Sequence, residues 1–168
     1  MSDATSPTVT TTQLGMIGLG RMGANMVHRL LAAGHDCVVY DVNADAVGAM
    51  AGSGAEGASD LAGLVQALAA PRAVWIMLPA AFVDDTIAKL APLLEAGDTI
   101  VDGGNSHYHD DIRRAEALAA DGITYLDVGT SGGVFGLERG YCLMIGGAQE
   151  SVDRLAPIFE SLAPGFGA

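Results

Sequence analysis

Basic residues are the scarcest charged class in this chain. Eight lysines and arginines stand against twenty aspartates and glutamates in 168 residues, a formal net charge of −12. So acidic a surface repels phosphodiester backbones and anionic headgroups, which argues against nucleic acid and membrane surfaces as partners. Lysine is rarer still, with Lys89 the only one. The two cysteines, Cys37 and Cys142, form no Cys-x-x-Cys pair, and each lies in an apolar strand-like run. Neither a disulfide framework nor a zinc site follows, and both thiols are expected to be buried and reduced. No apolar run approaches the roughly 20 residues of a membrane span. The first residues lack the basic-then-apolar order of a signal peptide, so a cytoplasmic protein is the expectation.

Apolar residues and glycine are abundant instead. Half of the residues are hydrophobic, enough for one domain that buries about two thirds of its unfolded surface. Residues 1–13, rich in Ser and Thr, with Pro7 and no apolar periodicity, read as a disordered tail. Residues 14–168 then form the domain.

The stretch 14–41 organises the rest. It reads as a strand, the turn Gly18-x-Gly20-x-x-Gly23, an apolar-periodic helix from Arg21, a second strand from Cys37, and Asp41, 23 residues after Gly18. Such a unit binds dinucleotides: the first glycine permits the tight turn, the second admits the pyrophosphate against bare backbone, and the third packs helix on strand. Amides at the start of the helix point at the pyrophosphate, and the helix dipole adds positive charge there. A carboxylate at the end of the second strand accepts the adenosine ribose hydroxyls and repels the 2′-phosphate of NADP. Val42-Asn43-Ala44 supplies no arginine to receive that phosphate. NAD is therefore expected over NADP, against the plainer reading of Asp41 as a solvated residue.

Further along, the pattern alternates helices with short apolar strands. A helix is expected over 43–50, a small strand within 52–57, a helix capped by Ser59 through Ala69, and a buried strand over 72–78. Leu78-Pro79-Ala80 reads as a ligand-side loop, and residues 82–95 as a helix stopped by Gly97. A strand over 99–102 leads into Gly103-Gly104-Asn105-Ser106. In doubly wound sheets, ligands sit outside the carboxyl ends of strands, which puts Asn105 beside the nicotinamide end of the cofactor. Asn105-Ser106 as a mere helix cap is the competing reading.

The helix that follows spans 107–120, with Asp110 and Asp111 three or four residues before Arg113 and Arg114, as solvated pairs. His107 and His109, two apart on a helix, face different ways and make a poor metal site. After a strand over 123–128 comes Gly129-Thr130-Ser131-Gly132-Gly133, a turn or an anion-binding loop with equal support from spacing. A strand over 141–145 and a helix over 149–162 complete the pattern. The fold class is α/β: a Rossmann-like, doubly wound, mainly parallel sheet with helices on both faces.

Taken together, Gly18-Leu-Gly-Arg-Met-Gly-Ala-Asn25, Asp102-Gly-Gly-Asn-Ser106, Gly129-Thr-Ser-Gly-Gly133 and Gly140-Tyr-Cys-Leu-Met-Ile-Gly-Gly147 resemble the amino-terminal domain of decarboxylating 6-phosphogluconate dehydrogenases. The NAD-preferring branch is the nearer, since the NADP branch carries asparagine-arginine-threonine where this chain has Asp41-Val42-Asn43. That resemblance implies oxidation of the sugar acid's C3 hydroxyl, with hydride passing to the nicotinamide, followed by decarboxylation to ribulose 5-phosphate. It assigns Gly18, Leu19, Gly20, Arg21, Met22 and Gly23 to the pyrophosphate turn, and Asp41, Val42 and Asn43 to the adenosine end. Leu78, Pro79 and Ala80 would line the cofactor. Asn105 would touch both cofactor and substrate, and Ser131, Gly132 and Gly133 the substrate; Asn105 and Ser131 are the residues nearest the chemistry, and no metal is implied.

The family's lysine base and glutamate acid belong to a following helical domain, whereas Lys89 here sits mid-helix on the expected surface. The chain thus resembles the cofactor-binding half of a homo-oligomeric enzyme, ending where a further strand would normally follow, and inactive alone. Two alternatives stay open: a non-catalytic dinucleotide-binding module, and a domain of a 3-hydroxyisobutyrate-type dehydrogenase, which Leu78-Pro79-Ala80 also resembles.

Overall fold

The central strands are apolar on both faces and so need cover on both sides. In the computed structural model, which describes residues 11–165, strands and helices alternate to supply it. In chain order they are β1 (Gln13–Ile17), α1 (Arg21–Ala32), β2 (Asp36–Tyr40), α2 (Ala44–Gly52), β3 (Glu56–Gly57), α3 (Leu61–Ala67), β4 (Ala73–Ile76), α4 (Val83–Leu90), β5 (Thr99–Asp102), α5 (Tyr108–Ala119), β6 (Thr124–Ser131), α6 (Gly136–Arg139), β7 (Cys142–Gly146), α7 (Gln149–Arg154) and α8 (Ala156–Leu162). The sheet order is β3-β2-β1-β4-β5-β6-β7. β1 to β6 run parallel, and β7 returns antiparallel to β6.

Neighbouring residues on each strand enter opposite cores. Met16, Val39, Trp75 and Val101 pack with Met26 and Leu30 of α1 and with Ile158 and Phe159 of α8. Ile17, Val38, Ile76 and Ile100 pack with Leu64, Ile87 and Leu118 of α3, α4 and α5. The sheet is therefore doubly wound, as expected. The chain runs outward from β1 to β3 and returns to β4, so a crevice opens at the carboxyl ends of β1 and β4, where the winding reverses.

Boundaries differ from expectation where a side chain or a proline intervenes. β1 begins at Gln13, inside the expected tail, whose residues 1–10 lie outside the described residues. The Gln13 amide donates to Ala67 O (3.1 Å) and accepts from Ala69 N (2.8 Å), tying the strand to the end of α3. Asp60, not Ser59, caps α3 by accepting from Gly63 N at 2.7 Å. α4 ends at Leu90 and gives way to a 3-10 turn over Ala91–Leu93, because Pro92 has no N–H to continue the ladder. The helix expected over 149–162 breaks at Leu155, and Pro157 occupies the first turn of α8.

β6 runs on to Ser131 because β7 pairs with it from Asp127↔Gly146 to Ser131↔Cys142. That pairing corrects both the loop expected at 129–133 and the fate of one cysteine. Cys142 opens the alternately exposed edge strand β7 and is itself exposed, whereas Cys37 is buried. Burial, with the neighbouring Asp36, pushes the Cys37 thiol up to about 12. Tyr141 precedes β7 and is fully buried, its ring against Gly136.

His35 joins the start of the sheet to the last helix. Its Nδ1 accepts from Thr12 N (3.1 Å), so Nε2 carries the proton and donates to Ser161 Oγ (2.8 Å). Burial lowers its pKa below 6.5, against smaller raising effects from the Pro157 and Thr12 backbone and from Asp36. The fold thus favours neutral imidazole: its contribution is complete above the unfolded-state pKa near 6.5 and is lost as pH falls from there towards the lower folded value. Thermal melts between pH 7.5 and 5 should show wild type losing more stability than His35→Gln, which keeps an acceptor and a donor without titrating. Parallel curves would refute this.

Candidate functional site

The site grows from the first strand-turn-helix crossing. Gly18 follows β1 with φ +97°, and a Cβ there would collide with Met77 O. Gly23, on the inner face of α1, leaves no room for a Cβ beside the Gly18 carbonyl. Both glycines are required by the protein itself. Gly20 is not: its φ of −62° suits any residue, and a Cβ there would meet nothing within 4 Å. Bare backbone at this position serves something that approaches from outside. Gly20 is also the N-cap of α1 and brings no capping side chain. The first amides of α1 have no intrahelical acceptor, and they face the same opening with the positive end of the helix dipole.

That opening is a cavity of about 310 Å³ along the carboxyl ends of the strands. Gly20, Arg21, Met22 and Gly23 form one side; Met77 and Leu78 after β4, Gly103, Gly104 and Asn105 after β5, and Gly129 and Thr130 of β6 complete it. Leu78 and Asn105 are where the sequence expects them, and Gly103, Gly104, Gly129 and Thr130 belong to the two strand-end loops it singles out; Met77, which the sequence puts inside a strand over 72–78, also lines the cavity because β4 ends at Ile76. Pro79 and Ala80 lie outside the lining and lead into a 3-10 turn over Ala80–Phe82.

Asp41, one residue beyond β2, reaches back to the glycine turn. Its Oδ2 accepts from Leu19 N at 2.6 Å and its Oδ1 from Asn43 N at 2.8 Å. A carboxylate has about four lone-pair sites, so two remain for ligand hydroxyls. Val42 is 94% exposed, and the Asn43 side chain is engaged as the N-cap of α2, accepting from Asp45 N at 3.0 Å. The residues present thus fit a dinucleotide: a bare-backbone phosphate cradle, an acidic ribose acceptor and an apolar-sided slot leading to Asn105.

Beneath Asn105 lies a buried polar network. Asp102, fully buried at the end of β5, accepts from Gly104 N (2.8 Å), Ser106 Oγ (2.8 Å), Arg114 Nη1 (3.2 Å) and Tyr125 Oη (2.7 Å). Arg114 and Asp111 are buried, not solvated as expected, because the face of the first two turns of α5 that carries them meets the sheet at Asp102. Burial, then the hydrogen bond to Asp102, pushes the Tyr125 pKa up and keeps the phenol protonated as a donor. Burial, with Asp111 and Asp102 nearby, also raises the Asp127 pKa. The cap of α5 is His107, not Asn105 or Ser106. His107 has extended backbone, so its ring stacks on that of His109 at 5.2 Å instead of facing away.

Ser131 and Gly132 line a second hollow of about 770 Å³, with Phe135, Glu138, Arg139 and Cys142 among its walls. Gly133 opens the 3-10 turn beside it. Asn105 and Ser131 therefore lie on adjacent segments of the same sheet edge but face different hollows, joined through Gly129 and Thr130. Lys89 is in the last turn of α4, exposed, at the end of that helix away from the cavity. Among the described residues, no cluster of three or more metal-ligating side chains occurs, and no helix is long and apolar enough to cross a membrane.

Residues 13–166 match the family model for the NAD-binding domain of 6-phosphogluconate dehydrogenase. The chain belongs to this family. It is 50% identical over 154 residues to an NAD(+)-dependent, decarboxylating 6-phosphogluconate dehydrogenase of Haloferax volcanii, spanning 91% of this chain and 50% of that protein. The Plasmodium falciparum 6-phosphogluconate dehydrogenase, solved apo and in complexes with NADP+ and with 6-phosphogluconate, superposes with a TM-score of 0.86. That match has 28% identity and covers 93% of this chain and 35% of that one. A Mycobacterium tuberculosis 3-hydroxyisobutyrate dehydrogenase superposes at 0.83 with 25% identity, over 92% of this chain and 53% of that one. The chain thus spans about half the length of the Haloferax relative. As a 6-phosphogluconate dehydrogenase NAD-binding domain, it carries its glycine turn at the carboxyl end of β1 and Asp41 just past the end of β2.

Proposed function

We propose that this chain binds NAD in the cavity of about 310 Å³, in preference to NADP, as the cofactor-binding half of an enzyme that oxidatively decarboxylates 6-phosphogluconate. The observation that carries this reading is the pairing of Gly20, open to a ligand, with Asp41, whose carboxylate braces the Leu19 amide beside it. The amides of the α1 amino terminus take the pyrophosphate, with Arg21 as the one cationic side chain in the lining. Asp41 takes the adenosine ribose hydroxyls through its remaining lone pairs, with Val42 and Asn43 flanking it. Met22 and Leu78 hold the cofactor's apolar faces, and Pro79 and Ala80 shape the edge of the slot. Bound NAD supplies a hydride acceptor. Asn105 orients the cofactor's nicotinamide end and the substrate, and Ser131, Gly132 and Gly133 hold the substrate from the adjoining hollow. The whole protein is read as a cytoplasmic homo-oligomer.

Oxidation of a hydroxyl needs a base within hydrogen-bond reach, and Lys89, the single lysine, is remote from the cavity. Calorimetric titration of the 168-residue chain should therefore show NAD binding, weaker NADP binding, and no NADH formation when 6-phosphogluconate is added. Tighter NADP binding would overturn the cofactor preference, and substrate-dependent NADH formation would overturn the assignment of the base to another part of the protein. The fold shared with 3-hydroxyisobutyrate dehydrogenase makes the small 3-hydroxy acid the competing substrate. Activity of the full-length protein on 3-hydroxyisobutyrate but not on 6-phosphogluconate would select it.

A further inference from the structure

The loop that carries Asn105 is held from beneath on both sides of that residue. Gly104, immediately before it, donates its amide to Asp102 Oδ1 (2.8 Å). Ser106, immediately after it, donates its hydroxyl to Asp102 Oδ2 (2.8 Å) and accepts from Arg114 Nη1 (2.8 Å). Arg114 closes the ring by donating the same Nη1 to Asp102 Oδ2, and its Nε anchors on Asp84 Oδ1 of α4 at 2.7 Å. Close neighbours leave the loop no slack on its other side: a Cβ on Gly104 would stand 2.9 Å from the Leu78 carbonyl oxygen, and one on Gly103 would collide with the Trp75 indole nitrogen. Asn105 itself is exposed and lines the cavity. A strand end, a loop, α5 and α4 are thus bonded into one frame whose only outward-facing side chain at the cavity is Asn105.

We propose that Ser106 and Arg114 are positioning residues that, through Asp102, hold Asn105 against the nicotinamide end of the cofactor. The inference rests on the proposed NAD site. It assigns a role to a buried charge set that core packing does not require, since a buried ionic network is seldom the most stable way to fill such space. The cavity runs from the pyrophosphate turn at Gly20 to Asn105, so slack in this frame is felt by the nicotinamide and not by the adenosine end. Ligand contacts set by positioned groups weaken steeply when the group is displaced by a fraction of an ångström.

The test compares NADH with ADP-ribose, which has the adenosine and pyrophosphate groups but no nicotinamide. Trp75 is the single tryptophan, packed beside Gly103 of the cavity lining, so energy transfer from it to the reduced nicotinamide reports the far end of the site. Ser106→Ala should weaken NADH about tenfold and reduce that transfer, while ADP-ribose affinity stays within about twofold. Ser106→Thr, which restores the hydroxyl, should recover NADH affinity to within about threefold of wild type. In an Asn105→Ala background, Ser106→Ala should cause no additional loss, because the two act as a unit. Arg114→Lys should show the same split between ligands; if that variant fails to fold, the Ser106 series decides alone. Parallel losses for both ligands would reduce Ser106 to a structural role and overturn the proposal, as would NADH binding by Ser106→Ala equal to wild type. Wild-type protein that binds neither ligand would overturn the NAD site itself, and the positioning role with it.

Discussion

Gly20→Val is expected to abolish NAD binding and leave the fold intact, while Gly23→Ala is expected to destabilise the domain severely. The two glycines sit three residues apart in one motif, yet they answer to different constraints. A side chain on Gly20 meets no protein atom within 4 Å, and its backbone is extended with φ −62°. Valine there projects into the slot that the pyrophosphate must enter, so NAD affinity should fall by at least about a hundredfold. The loss of stability should stay near that of a poorer N-cap, about 1 kcal/mol or about 3 °C in Tm. A Cβ on Gly23 would collide with the Gly18 carbonyl, where backbone cannot swing aside as a flexible side chain can. Separating α1 from β1 enough to admit it should cost about 3 kcal/mol or more, with a fall in Tm of about 10 °C. Melting curves and calorimetry on the two variants check this directly. A Gly20→Val protein that still binds NAD would remove the cavity from consideration as a dinucleotide site.

Asp41→Ala should reverse the cofactor preference. The carboxylate is expected to bond both ribose hydroxyls, and losing charge-assisted bonds of that kind should weaken NAD about thirtyfold or more. NADP should lose much less, because the substitution also removes the negative charge facing its 2′-phosphate. Part of the NAD loss will come from freeing Leu19 N and Asn43 N, which Asp41 now holds. That part acts on both cofactors alike and cancels in the ratio of their dissociation constants. The ratio is therefore the measurement that matters, and an unchanged ratio would show that Asp41 only braces the turn.

Asp127, half-buried on β6, titrates in the opposite sense to His35 and partly offsets its acid response. Asp127 has its pKa raised by burial and by the nearby Asp111 and Asp102, so taking up its proton as pH falls favours the folded state. The His35 contribution moves the other way, being lost as pH falls from about 6.5. Comparison of wild type with His35→Gln isolates it, because Asp127 titrates equally in both.

Much of the fold was legible because its signals are local. Apolar runs at 14–17, 37–40 and 73–76, with Ile100-Val101 in the next strand, can only be satisfied by cover on both faces, and two such cores are what the structure contains. The glycine turn was legible for the same reason: φ at Gly18 and close packing at Gly23 are properties of one strand-turn-helix crossing. Helix ends were less so. Asp60 displaced Ser59 as a cap and Pro157 split the last helix, choices between adjacent residues that differ by little energy until packing selects one.

What could not be read were properties belonging to pairs of distant segments. Arg114 looked like one half of a solvated helix pair, because spacing along α5 says which residues are neighbours but not which face meets the sheet. It is buried because Asp102 and Tyr125 arrive from β5 and β6 on that side. Cys142 looked buried because its run is apolar, and it is exposed because β7 turned antiparallel at the sheet edge, where one face has no helix over it. The same pairing drew Ser131 into β6 and set it facing a different hollow from Asn105.

By itself, the sequence determined the doubly wound class, the dinucleotide turn with its acidic partner and the family, since each of these is written in residue type and spacing within a few tens of residues. Only the tertiary structure decided which strand-end residues share the cavity, that Asp41 braces the glycine turn from 22 residues away, and that the Asn105 loop stands on a buried network. Those features depend on contacts between segments far apart in the chain, whose geometry is set by how helices pack across the sheet.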